Sequence, residues 1–128
     1  MRTAIRRRGV QAQIDRMVRR IVKRFNPERI ILFGSHARGN AGPDSDVDLL
    51  VVMEVEGSKR DQQLQVRMAL PDAAVPVDVI VTRPEDFEWR KNYPGTIERP
   101  AHLEGKVLYA RGGRTAHRSV RMGREGRG

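Results

Sequence analysis

The chain of 128 residues contains no cysteine. That excludes disulfides, thiolate metal sites and a thiol nucleophile, and it is compatible with a cytosolic protein. No apolar run approaches the roughly 20 residues of a membrane span. The N-terminus is basic but runs into an amphipathic pattern, unlike a secretory signal, so the expected location is cytoplasmic with no membrane partner. There is no internal repeat. The length suits one compact domain large enough to bury a core.

Charge is plentiful, with a formal net of +9, but it is unevenly distributed. Residues 1–24 carry nine basic groups against Asp15, and residues 111–128 carry six against Glu125. The stretch between them has ten basic and fourteen acidic residues. The central body is therefore mildly acidic, which suits a cation site better than a phosphate-backbone footprint. Nucleic-acid binding through the basic ends is possible but not favoured.

From Val10 to Phe25 the apolar residues recur at helical spacing with arginines opposite, which predicts an amphipathic helix over about 10–25 that stops at Asn26-Pro27. Such a basic helix suits a membrane surface or RNA; the simpler reading is a core helix with a solvated face. Arg29–Phe33 is a short buried strand ending at Gly34. Residues 34–45 form a loop with at most one helical turn. Asp46–Met53 is a second strand and Pro76–Val81 a third. Ser58 caps a helix to Leu70, with Leu64 and Met68 facing inward. Thr82–Asp86 starts another helix, with Pro84 in its first turn. Pro94, Gly95 and Pro100 break the chain after it, and Trp89 reads as a packing residue. A last short strand covers 106–109. From Arg111 the Gly/Arg-rich composition predicts a basic disordered tail, 111–128, outside a domain of residues 1–110. The fold class is α/β (α+β), a mixed sheet of about four strands with helices packed against it.

Chemistry concentrates in three aspartates. Asp46 and Asp48 share one face of a strand entrance. At about 7 Å and an effective dielectric near 20 they repel by roughly 2–3 kcal/mol, which cations or full solvation must relieve. Alone, Asp-x-Asp is a common polar strand start. Asp78 lies among apolar residues in another strand, where an ionised carboxylate is costly unless paired or metal-bound. Three oxygen donors are the ligand type that Mg2+ prefers. Gly34 lets backbone approach a ligand, and Ser35 at a following turn suits phosphate. Arg38 is within reach of a triphosphate or is simply solvated. Asp44 follows Gly42-Pro43 and caps a turn. The histidines have no metal-like spacing.

The stretch GSHARGNAGPDSDVDLLV, with Gly-Ser, ten residues, then Asp-x-Asp and a later strand aspartate, resembles the signature of the DNA polymerase β-like nucleotidyltransferase superfamily. It is most similar to the minimal nucleotidyltransferases of bacteria and archaea, over about residues 12–110. The late Glu104-Gly105-Lys106-Val107-Leu108-Tyr109 element is shared too; Pro100, which interrupts a segment usually helical, and the arginine-rich tail are not. The resemblance implies that Gly34 and Ser35 contact the triphosphate of ATP or another nucleotide. It implies that Asp46 and Asp48 bind two Mg2+ ions, and that Asp78 binds the catalytic ion and helps deprotonate the acceptor hydroxyl. It further implies an antitoxin that binds a small helical HEPN protein, a ribonuclease-like toxin, and transfers AMP to its tyrosine. A small-molecule acceptor, as in aminoglycoside nucleotidyltransferases, is the alternative enzyme. A non-catalytic subunit that binds protein or nucleic acid is the alternative outside enzymology.

Overall fold

The computed structural model describes residues 2–42, 44–70 and 75–112, with side chains from Gly9 onward. The first helix, α1, spans Arg2–Phe25, beginning well before Val10. Arginine and alanine favour helix enough to carry it across Gly9, which costs about 1 kcal/mol. It ends as expected: Asn26 turns into the left-handed region at φ 49, its N–H still bonded to Val22 O, and Pro27 follows.

Strand β1 (Arg29–Phe33) leads into the short helix α2 (Ser35–Arg38). Strand β2 (Val47–Val52), helix α3 (Lys59–Ala69) and strand β3 (Val77–Thr82) come next. Helices α4 (Pro84–Arg90) and α5 (Glu98–Glu104) and strand β4 (Lys106–Ala110) complete the order. The sheet order is β3-β2-β1-β4. The β2–β3 pair is parallel and the other two pairs are antiparallel.

Alternation along the strands separates two cores. Ile30, Leu32, Leu49, Val51, Val79 and Val81 face Ile14, Met17 and Ile21 of α1 and Val66 of α3. Ile31, Phe33, Leu50 and Val52 face Phe87 of α4 and Ala101 of α5. Strand β2, central and covered on both faces, accordingly reads as a continuous apolar run.

Three sequence expectations need correction. Ser58 caps α3 by accepting from Asp61 N–H, but Leu64 and Met68 point outward, 58 % and 75 % exposed. The buried face of α3 carries Val66, with Gln63 beside it bonding the edge of the sheet; two apolar rows competed and the one facing β3 won. Trp89 is 52 % exposed and stacks edge-on against Tyr93 at 5.5 Å, so it is a surface residue. Pro100 does not interrupt a helix: it is the third residue of α5, in a first turn whose N–H groups have no intrahelical acceptor. The predicted tail from Gly113 onward lies outside the described residues. Among the described residues, no helix is long and apolar enough to cross a membrane.

Candidate active site

The candidate site lies where the end of β1 meets the starts of β2 and β3, on the sheet face that α4 and α5 cover further along. Antiparallel pairing sets Phe33 opposite Asp48, so Gly34 follows directly past that aspartate. Parallel pairing sets Asp48 opposite Asp78. Neighbouring strands run about 4.8 Å apart, and these two carboxylates emerge side by side on one face. Asp46 lies just before β2, in phase with Asp48, and is exposed. Asp78 is exposed too, which corrects the expectation of a costly carboxylate enclosed by apolar neighbours, because β3 is an edge strand open to water on that side.

Gly34 is required here on two grounds. Its φ is 77, a conformation that L side chains resist. A Cβ built on it would also run into the Asp48 carboxylate. The turn that follows is short: the Ala37 and Arg38 N–H groups bond back to Gly34 O at 3.1 and 3.0 Å. The N–H groups that open α2 have no partner within the helix, and Ser35 is its first residue.

The loop from α2 to β2 folds onto itself. His36 Nε2 lies 3.2 Å from Ser45 O, and Ser45 Oγ accepts from Gly42 N–H at 2.8 Å. Asp44 sits at an exposed turn in this loop. Arg38 reaches Glu104 at 3.5 Å, both half-exposed, an ion pair worth little by itself. Gly105, whose Cβ would press on Leu32 O and Ile31, lets the end of α5 approach β1 closely.

Electrostatics mark Asp48. Burial raises its pKa, and the charges of Asp78 and Asp46 raise it further, while His36 and Arg38 act the other way. Among the described residues, none of Asp46, Asp48 and Asp78 is in an ion pair. Nor is any group of three or more histidine, aspartate or glutamate side chains arranged there to hold a metal ion. The three carboxylates are neighbours but not a finished ligand cage. Their chemistry nevertheless fits Mg2+: hard oxygen donors only, with a partly desolvated negative charge at the centre. Arg38 and Ser35 stand on the flank of this cluster. His36 and Glu104 belong to the same neighbourhood; neither had a site role from sequence, where Glu104 stood only as part of the late shared element. For His36 the available signal was its position directly after Gly34-Ser35.

A family model described as a nucleotidyltransferase domain matches residues 14–102. A candidate protein adenylyltransferase from Methanocaldococcus jannaschii is 35 % identical over 82 residues, covering 64 % of this chain and 78 % of that protein. Among solved structures, a candidate nucleotidyltransferase from Sulfolobus solfataricus superposes with a TM-score of 0.55 at 22 % identity, covering 80 % of this chain and 87 % of the other. A toxin–antitoxin structure with AMP-PNP gives a TM-score of 0.52 at 17 % identity, covering 75 % and 72 %. These two likenesses establish a shared fold.

Proposed function

The chain belongs to the nucleotidyltransferase domain family, and from that premise we propose that it moves AMP from ATP to a hydroxyl group on a partner protein, with Mg2+ as cofactor. One observation carries the assignment: Asp48 and Asp78 are register neighbours directly beside a glycine that can bear no side chain.

In this reading Gly34 and Ser35 receive the triphosphate. The bare glycine leaves room for it, and the Ser35 hydroxyl and the opening N–H groups of α2 donate to its oxygens. Arg38 adds positive charge on the same flank. Asp46, Asp48 and Asp78 would hold two Mg2+ ions, which would supply positive charge to the triphosphate and the departing pyrophosphate. Asp78 takes the proton of the acceptor hydroxyl. The hydroxyl oxygen attacks the α-phosphorus, the bond from that phosphorus to the bridging oxygen breaks, and pyrophosphate leaves with the electron pair.

The name of the Methanocaldococcus relative supports a protein acceptor. The toxin–antitoxin neighbour supports a toxin as that protein, and the resemblance to minimal nucleotidyltransferases supports a small helical HEPN protein with an acceptor tyrosine.

The test is to incubate the chain with Mg2+, labelled ATP and the small helical protein encoded beside it, then locate the label by mass spectrometry. AMP on a partner tyrosine is the expected result, lost with Asp46→Asn. Equal labelling by wild type and variant would remove the site assignment.

A further inference from the structure

Strand β3 is an edge of the sheet, and its outer side is only partly used. Val47 N–H donates to Pro76 O at 2.8 Å and Met53 N–H to Thr82 O at 3.0 Å. Even-numbered residues of β3 therefore turn their backbone groups toward β2, and Val77, Val79 and Val81 turn theirs outward. Val81 N–H donates to the Gln63 side chain at 2.8 Å, an α3 residue standing in for a strand partner. Among the described residues no strand pairs with this edge at Val77 and Val79.

Beside this stretch lies a groove of about 450 Å³ between α3 and β3, lined by Arg60, Gln63, Leu64, Arg67, Val79 and Asp78, among others. It thus adjoins the residue assigned to take the acceptor proton. Leu64 is an exposed apolar side chain on the α3 wall. Arg60 and Arg67 are exposed and, among the described residues, make no ion pair. Two acids also line the groove, Asp61 in the first turn of α3 and Asp78, and among the described residues neither is within ion-pair distance of Arg60 or Arg67. The groove therefore offers two unpaired arginines, an apolar contact and two outward-facing backbone positions.

We propose that the open edge of β3 and the facing side of α3 form the acceptor-docking groove, taking an extended acidic protein segment as an added strand. The segment bonds to the Val77 and Val79 backbone, sets an apolar side chain on Leu64 and acidic side chains on Arg60 and Arg67, and delivers its hydroxyl residue to Asp78. This is strand addition, in which main-chain bonds give affinity and alternate side chains give specificity. It rests on the transferase reading for its purpose, though not for its binding.

The probes are two fluorescent peptides, one carrying glutamate, valine and glutamate at successive alternate positions, so that all three share a face, with serine between them and a terminal tyrosine, the other with lysine in place of glutamate. Anisotropy on the full chain without nucleotide should show the acidic peptide binding at least about tenfold more tightly, the order reversing in an Arg60→Glu/Arg67→Glu double variant. In amide NMR spectra the acidic peptide should shift the Val77 and Val79 signals and slow their hydrogen exchange. Equal binding of the two peptides overturns the proposal, as do shifts confined to the basic face of α1. Because no nucleotide is present, docking can succeed where AMP transfer fails, and the reverse, so the two readings fail separately.

Discussion

Glu98 and Asp48 face the same side of one sheet, and the protein treats their charges in opposite ways. Glu98 is 4 % exposed, and both its carboxylate oxygens are partnered. The Thr82 hydroxyl donates to Oε2 at 2.8 Å and Arg90 Nε–H to Oε1 at 3.1 Å, which locks α5 and α4 to the end of β3. At the other end of the same strand, Asp48 and Asp78 face each other with Asp46 close by, and no cation pairs with any of them among the described residues. The fold has the means to neutralise a buried acid and uses them where the acid holds elements together. Where it withholds them, the acids stay available to something that arrives from outside.

The largest effect that would sharpen this contrast is on catalysis. Asp48→Asn or Asp78→Asn should lower Mg2+-dependent AMP transfer about 1,000-fold, or roughly 4 kcal/mol of transition-state stabilisation, with circular dichroism unchanged. Glu98→Ala should do the converse. It leaves the Thr82 hydroxyl and the Arg90 guanidinium short of a partner and should cost about 2 kcal/mol of stability, read as a lower urea midpoint. Arg90 is part-exposed, which keeps the figure below that of a fully enclosed pair. Transfer per folded molecule should stay within about twofold of wild type. An Asp78→Asn protein that unfolds while Glu98→Ala loses transfer would invert the comparison.

The strands were legible as short apolar runs rich in branched side chains, most clearly Arg29–Phe33, which stops at Gly34, and Val77–Thr82, which stops before Pro84. The cap at Ser58 and the helix start at Pro84 follow from local chemistry and appear as expected. What a single sequence leaves open is which of two plausible faces wins. On α3, Leu64 and Met68 make one apolar row and Val66 another, and the choice depends on Gln63 meeting the Val81 N–H of a strand eighteen residues away. Trp89 likewise depends on whether anything covers α4. The site divides along the same line. That Asp46 and Asp48 share a face follows from strand alternation alone. The pairing of Asp48 with Asp78 is a matter of register between two strands, which only the assembled sheet displays.

The smallest predicted effect is on stability, and its sign follows from the ionisation of Asp48. Burial first, then Asp78 and Asp46, raise its pKa above the ordinary 3.8, with His36 and Arg38 opposing. A carboxyl with a raised pKa holds its proton more tightly in the folded state, so ionising it works against folding. That penalty is absent below pH 3.8, grows as pH rises through the native pKa, and is fully present at neutrality. Asp48→Asn abolishes the ionisation. The metal-free variant should therefore melt above wild type at pH 7, and the gap should close on acidification below the ordinary carboxylate pKa. Mg2+ should raise the wild-type midpoint more than that of the variant, which lacks the central one of the three proposed carboxylate ligands. A variant less stable than wild type at pH 7, or a gap that widens in acid, would mean that Asp48 is held by partners as Glu98 is. The two acids would then be doing the same job, and Asp48 would not be a charge kept open for a cation.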